Sequence, residues 1–144
     1  DRGVISGHMG YAESIFLMAS MMGIEVERVE EGQKPIIADK PLKTSYFNIP
    51  VGRVCGVEGY GVGYVDGKEF IRVELYAAVG RMDYDELVVD GTPPLKWRNM
   101  VGTSGDIATA AMVVNVIPKV LTSTPGLKTM KDLQTPSTWY TPPL

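Results

Sequence analysis

Two short stretches of this 144-residue chain gather chemistry-bearing side chains among glycines. The first, Gly7-His8-Met9-Gly10-Tyr11-Ala12-Glu13-Ser14, sets the single histidine, a phenol, a carboxylate and a hydroxyl between and beyond glycines at the start of a helical pattern. An imidazole titrates near neutrality, so His8 can donate a proton or hold a substrate oxygen. A structural reading stands beside that one, with Glu13 and Ser14 serving the first turn, where the helix dipole favours a carboxylate. The second stretch is Gly102-Thr103-Ser104-Gly105-Asp106-Ile107-Ala108-Thr109. Glycines with three hydroxyls at a helix start can cradle an anion or a carboxylate through oriented N–H groups and the positive helix end. Asp106 argues against a strongly anionic ligand and can pair with an amine. An ordinary N-cap accounts for the same residues equally well.

Three further features carry less. Gly59-Tyr60-Gly61-Val62-Gly63 has the glycines of a dinucleotide fingerprint, but such a fingerprint joins a strand to a helix, with an acidic residue about 20 positions on. Here the glycines lie within a strand pattern that turns at Asp66-Gly67 into another strand, so they read as a bulge or a close backbone approach. Glu25, Glu27, Glu30 and Glu31 lack the spacing of a calcium loop and read as a solvated strand face. Met9, Met18, Met21 and Met22 read as adaptable packing.

The elements that position these groups follow from periodicity. Ile15, Met18, Ala19 and Met22 fall at helical spacing over residues 11–22, with Gly23 as the stop. Residues 24–29 alternate as a short strand. Gly32, Pro35 and Pro41 make 31–43 a poor place for a long regular element. Residues 54–65 and 68–79 form a hairpin about Asp66-Gly67, a pair suited to a two-residue turn with positive φ at both positions. In the outgoing strand Ile71, Val73, Leu75 and Ala77 share one face, and Phe70, Arg72, Glu74 and Tyr76 the other. Residues 87–89 and 95–100 repeat the device about Asp90-Gly91, with Pro93-Pro94 at the re-entry. A second helix spans 106–121, opened by Ser104 and Asp106, whose oxygens accept from free N–H groups, and kinked or broken near Pro118. The order helix, antiparallel strands, helix predicts an α+β domain with both helices gathered on one face of a mostly antiparallel or mixed sheet. Residues 1–133 make one domain, and the proline-bearing 134–144 an arm or tail.

Composition narrows the classes. Hydrophobic residues make up 44% and charged residues 22%, the net charge is −3 and the pI about 5.1, so there is no basic surplus for nucleic acid. The lone Cys55 excludes an intramolecular disulfide and a thiolate cluster, which fits a reducing, cytoplasmic home, and one histidine leaves no His-rich zinc site. No apolar run approaches the roughly 18 residues of a membrane span. The opening on Asp1 reads as a truncated or processed start.

Taken together, the two stretches above, Val114-Asn115-Val116-Ile117-Pro118, and Pro125-Gly126-Leu127 followed by Thr129-Met130-Lys131-Asp132-Leu133 resemble one family in this order. It is the 2,4-diaminopentanoate dehydrogenases and related amine dehydrogenases, within the dihydrodipicolinate-reductase-like group. The resemblance spans roughly residues 3–133. It implies a C-terminal domain with a dihydrodipicolinate-reductase-like fold, preceded in the whole protein by a Rossmann domain that binds NAD or NADP and carries the main acid. The implied reaction oxidises an amine, or reduces the imine formed from a ketone and ammonia. His8, Tyr11 and Glu13 would approach the pocket or hinge. Thr103, Ser104, Asp106 and Thr109 would face substrate and nicotinamide, and Asn115 would bond backbone near the hinge. The lysine- and Ser-Gly-Thr-bearing loop of true dihydrodipicolinate reductases is absent, which favours the amine-dehydrogenase branch. The fragment alone is expected to bind no cofactor and to be inactive, and its partners are an amine or ketone substrate, its own Rossmann domain and further copies through the sheet, with no nucleic acid and no membrane. The alternative is a free-standing oligomerisation or interaction domain without redox activity.

Overall fold

The computed structural model describes residues 10–133, so His8 and the 134–144 arm lie outside the described residues. The chain divides into two compact units, Asp1–Arg81 and Met82–Leu144. The first holds helix α1 (Tyr11–Met22) and strands β1 (Arg28–Ile37), β2 (Leu42–Lys43), β3 (Asn48–Ile49), β4 (Val54–Val65) and β5 (Lys68–Ala78). The second holds β6 (Asp85–Val89), β7 (Leu95–Asn99) and helix α2 (Gly105–Leu121). The fold is α+β, and its strand pairs are antiparallel, but they form a three-stranded sheet, β1-β4-β5, and two separate hairpins rather than one sheet.

In the first unit α1 lies across one face of the three-stranded sheet, and the glycines of β4 are the reason it can. A β-carbon at Gly61 would sit 2.6 Å from Tyr11 Cβ and 3.0 Å from Ile15 Cδ1. One at Gly63 would sit 2.6 Å from Ile15 Cγ2, and one at Gly59 would overlap the Tyr11 phenol. Alternate residues of a strand share a face, so these three form a track without side chains along the central strand. Ile15, fully buried, settles into it, walled by Val29 of β1 and Ile71 of β5, which both pair with Gly63. Ala19, Ile24, Val26 and Val73 complete this cluster. The glycines thus mark a close backbone approach, as their place in a strand suggests.

Both ends of this assembly are fastened by acids from the 25–31 run. Glu31 accepts the Ala12 N–H at 3.1 Å, in the first turn of α1. Glu27 accepts the Asp66 and Gly67 N–H groups at 3.0 and 3.1 Å, holding the β4–β5 turn, whose φ values of 50° and 68° are both positive as the Asp-Gly pair requires. Glu30 takes the Tyr64 hydroxyl at 3.0 Å and an ion pair with Arg28. The run is therefore more than a solvated face: three of its four carboxylates hold named partners.

Four expectations are corrected. Residues 31–43 were expected to hold no long element, yet β1 runs through Gly32 and Pro35 to Ile37. It is an edge strand paired only with β4, where a missing N–H is tolerated, and Gly32 gives room to the Tyr60 ring. The Asp90-Gly91 turn does not repeat the first one, because neither residue takes positive φ and the chain resumes pairing only at Leu95, after Pro93-Pro94. Helix α2 runs on past Pro118 to Leu121 without a break, the proline falling in its last turn. The Ser104 side chain makes no cap hydrogen bond. The apolar side of α2 is also uncovered, since no residue of this helix is buried.

Two outcomes follow. Gly61→Ala should cost about 1–3 kcal/mol of stability, as overpacking against helix and side chain does, while Gly105→Ala, with open space around it in a helix, should cost nothing or add up to about 1 kcal/mol. Urea denaturation of both variants measures this. The Tyr64 hydroxyl, then the Arg28 guanidinium, holds the Glu30 carboxyl below its usual range, and Arg72 does the same to Glu69. Depressed native values mean a stabilisation fully present above the ordinary carboxylate range and lost as pH falls through the native values. A Glu30→Gln/Glu69→Gln double variant should therefore show a shallower acid-side decline in Tm than the parent.

Candidate functional site

Of the residues expected near substrate, Tyr11 and Glu13 belong to the first unit. Tyr11 is 6% exposed, its ring laid over Gly59 and Gly61. Its phenol oxygen is enclosed and has no hydrogen-bond partner among the described residues. Such a group is costly to bury, and here the ring's packing on the glycine track sets its position. Glu13 is exposed in the first turn of α1, where the dipole favours its charge.

Thr103, Ser104, Asp106, Thr109 and Asn115 belong to the second unit. Thr103 and Ser104 end the link from β7, Asp106 is in the first turn of α2, Thr109 one turn on, and Asn115 is half-buried further along. Ser104 is the N-cap residue through its carbonyl, which accepts the Ala108 N–H at 2.8 Å. Its hydroxyl makes no cap bond. Gly102, at φ 67°, lets the link turn tightly against Asp83, which a β-carbon there would meet at 2.7 Å.

Two residues outside the expected set fix this link. Asp85 and Asn99 are opposite each other in the β6–β7 hairpin. The Asp85 carboxylate accepts a short hydrogen bond from the Thr103 hydroxyl and another from Asn99 Nδ2 at 3.3 Å. Asn99 Nδ2 also reaches Thr103 Oγ1 at 3.4 Å, and Asn99 Oδ1 accepts the Val101 N–H at 3.3 Å. No spacing in the sequence joins Asp85 to Thr103; only the register of the hairpin does. The hairpin has one ion-paired face, with Glu86 bonded to Lys96 and Arg98, and one apolar face of Leu87, Val89, Leu95 and Trp97, all about half exposed.

The face of the three-stranded sheet away from α1 carries a shallow depression of about 330 Å³, lined by Lys34, Glu58, Tyr60, Arg72, Glu74 and Tyr76 among others. Its charges are paired internally, Lys34 with Glu58 at 2.7 Å and Arg72 with Glu74 at 3.7 Å. Of Phe70 and Tyr76, expected together on this outward face, Tyr76 lines the depression, whereas the register shift beside Gly63 leaves Phe70 without a partner on β4 and Glu69 bonds to Arg72 instead. On the other face Tyr11 and Ile15 fill the space above the β4 glycines, leaving no cradle there for a dinucleotide phosphate. Among the described residues no group of three or more acidic, cysteine or histidine side chains could hold a metal ion, and no helix is long and apolar enough to cross a membrane.

Comparison with known proteins agrees with this architecture. A solved amine dehydrogenase from Mycobacterium smegmatis superposes with a TM-score of 0.77 at 22% identity, over 96% of this chain and 42% of that one, which establishes the fold. A 2,4-diaminopentanoate dehydrogenase from Acetoanaerobium sticklandii is 33% identical over 94% of this chain. The chain spans only 40% of that relative's length. The family model described as the 2,4-diaminopentanoate dehydrogenase C-terminal domain matches residues 1–142, and the chain belongs to that family.

Proposed function

We propose that this chain is the substrate-side part of an NAD(P)-dependent oxidoreductase acting on a C–N bond, oxidising an amine or reducing the imine formed from a ketone and ammonia. The observation that carries the reading is the family match over residues 1–142, at an identity to a named dehydrogenase that is too extensive for shared fold alone. A bound nicotinamide supplies or takes up the hydride. The residues of this chain bind and orient: within the second unit, Asp106 and the Thr103 hydroxyl offer acceptors to an amine at the start of α2, with Ser104 and Thr109 beside them on the same stretch. Asn115 steadies the backbone near the hinge. The dinucleotide phosphates and the acid that handles the amine are assigned to a Rossmann domain outside this sequence, a reading supported by the chain's covering 40% of its relative and by the packing of Tyr11 and Ile15 on the β4 glycines.

The absence of any buried residue from Met82 to Leu133 supports a chain completed by further protein surface. We assign the oligomeric contact to the outward face of the three-stranded sheet, where Tyr60 and Tyr76 stand half exposed amid charges that need no outside partner. The single free thiol accords with a cytoplasmic enzyme.

The intact protein should oxidise 2,4-diaminopentanoate with NAD or NADP, followed by nicotinamide absorbance; no turnover of any amine or ketone–ammonia pair in a panel would refute the reading. Asp106→Asn should lower kcat/KM for the amine by about tenfold, the scale of a lost charge-assisted hydrogen bond, with Tm changed only by the small dipole contribution. Tyr60→Glu/Tyr76→Glu should shift the protein to smaller species in sedimentation at tens of micromolar. Unchanged sedimentation would place the contact elsewhere.

A further inference from the structure

We propose that Asp85 is a positioning residue: it commits the Thr103 hydroxyl to accepting, and so reserves that hydroxyl for the N–H of an amine or iminium rather than for a carbonyl oxygen. The inference rests on the reading above that Thr103 faces substrate.

The polarity of the cluster can be followed from the backbone outward. The Val101 N–H can only donate, and it donates to Asn99 Oδ1. That fixes the Asn99 amide, whose Nδ2 must then be the atom directed at Asp85 and Thr103. The Asp85 carboxylate can only accept, so the one proton of the Thr103 hydroxyl lies on the Asp85 bond. One lone pair of Thr103 Oγ1 meets Asn99 Nδ2 at 3.4 Å, a long bond. What remains for a ligand is the other lone pair.

A hydroxyl whose proton is held by a carboxylate is also a stronger acceptor, because hydrogen bonds in a chain polarise one another. An N–H donor, above all a cationic one, gains from both properties. A ketone oxygen needs a donor, which this hydroxyl cannot offer it while Asp85 holds its proton. Thr103 therefore discriminates between the two ends of the reaction, and it does so only while Asp85 holds its proton.

Steady-state kinetics of the intact protein test this, with 2,4-diaminopentanoate as the amine and a methyl ketone with ammonium in the reverse direction. Asp85→Leu should raise KM for the amine at least about tenfold and leave KM for the ketone within about threefold, or lower it, since the freed hydroxyl can then donate. Asp85→Asn, which retains an oxygen able to accept from Thr103, should keep the amine KM within about threefold. Thr103→Val should raise the amine KM as Asp85→Leu does, and the double variant should be no worse than either single one. Should Asp85→Leu not fold, Asp85→Ala takes its place with the same expected split. A rise in both KM values together, additive effects, or an unchanged amine KM in Asp85→Leu while Thr103→Val raises it, would overturn the positioning role and leave the functional reading standing. An unchanged amine KM in Thr103→Val would overturn the positioning role together with the placing of Thr103 at the substrate, and no turnover of any amine or ketone–ammonia pair by the parent protein would overturn the functional reading as well.

Discussion

Three missing β-carbons govern the first unit. Without side chains at Gly59, Gly61 and Gly63, the central strand presents bare backbone on one face, and α1 approaches until Tyr11 and Ile15 rest on it. The depth of that seat explains why so few residues form a core: Ile15 and Ala19 from the helix meet Ile71 from the sheet, and Val29, Val73, Ile24 and Val26 close the rim. Interiors are packed too tightly to admit even one extra methyl group at such a place, so the track is a constraint on sequence as strong as any apolar position. It also answers the chemical question the glycines raise, since a cluster that could cradle phosphate is consumed in holding a helix.

From this seat the position of Tyr11, and so of the polar stretch at the start of α1, is determined. Glu31 reinforces it by bonding the Ala12 N–H, and Glu27 ties the far turn of the same sheet to the strand entry. The second unit uses a different device. There a hairpin pair, Asp85 and Asn99, holds the residue that leads into α2, so the hydrogen-bonding polarity of Thr103 is set by residues 18 and 4 positions away. In both units the start of a helix is held by side chains from a strand.

The elements were largely legible in the sequence because period and punctuation agree. Residues 11–22 carry helical spacing and a glycine stop, and the Asp66-Gly67 hairpin has the turn chemistry its φ values demand. Where punctuation and context disagreed, context won: Pro35 reads as a breaker, but it lies in a strand at the sheet edge, where proline is tolerated. Asp90-Gly91 reads as a tight turn, but the two prolines beyond it delay pairing to Leu95. The candidate stretches were visible from residue type alone, whereas Asp85, Asn99, Glu27 and Glu31 were not. Their partners lie across strand pairings, and no local pattern encodes which acid will meet which N–H. The apolar side of α2 was equally visible, but periodicity cannot say what covers it.

The glycine track is the claim on which the rest depends, and a double-mutant cycle between Gly63→Ala and Ile15→Ala probes it most directly. A methyl group at Gly63 would meet Ile15 Cγ2 at 2.6 Å, an atom that Ile15→Ala removes. If the helix is seated on bare backbone, the space left by Ile15→Ala accommodates the new methyl, and the double variant is more stable than the sum of the single losses by about 1 kcal/mol or more. Losses that simply add, to within about 0.5 kcal/mol, would contradict the account.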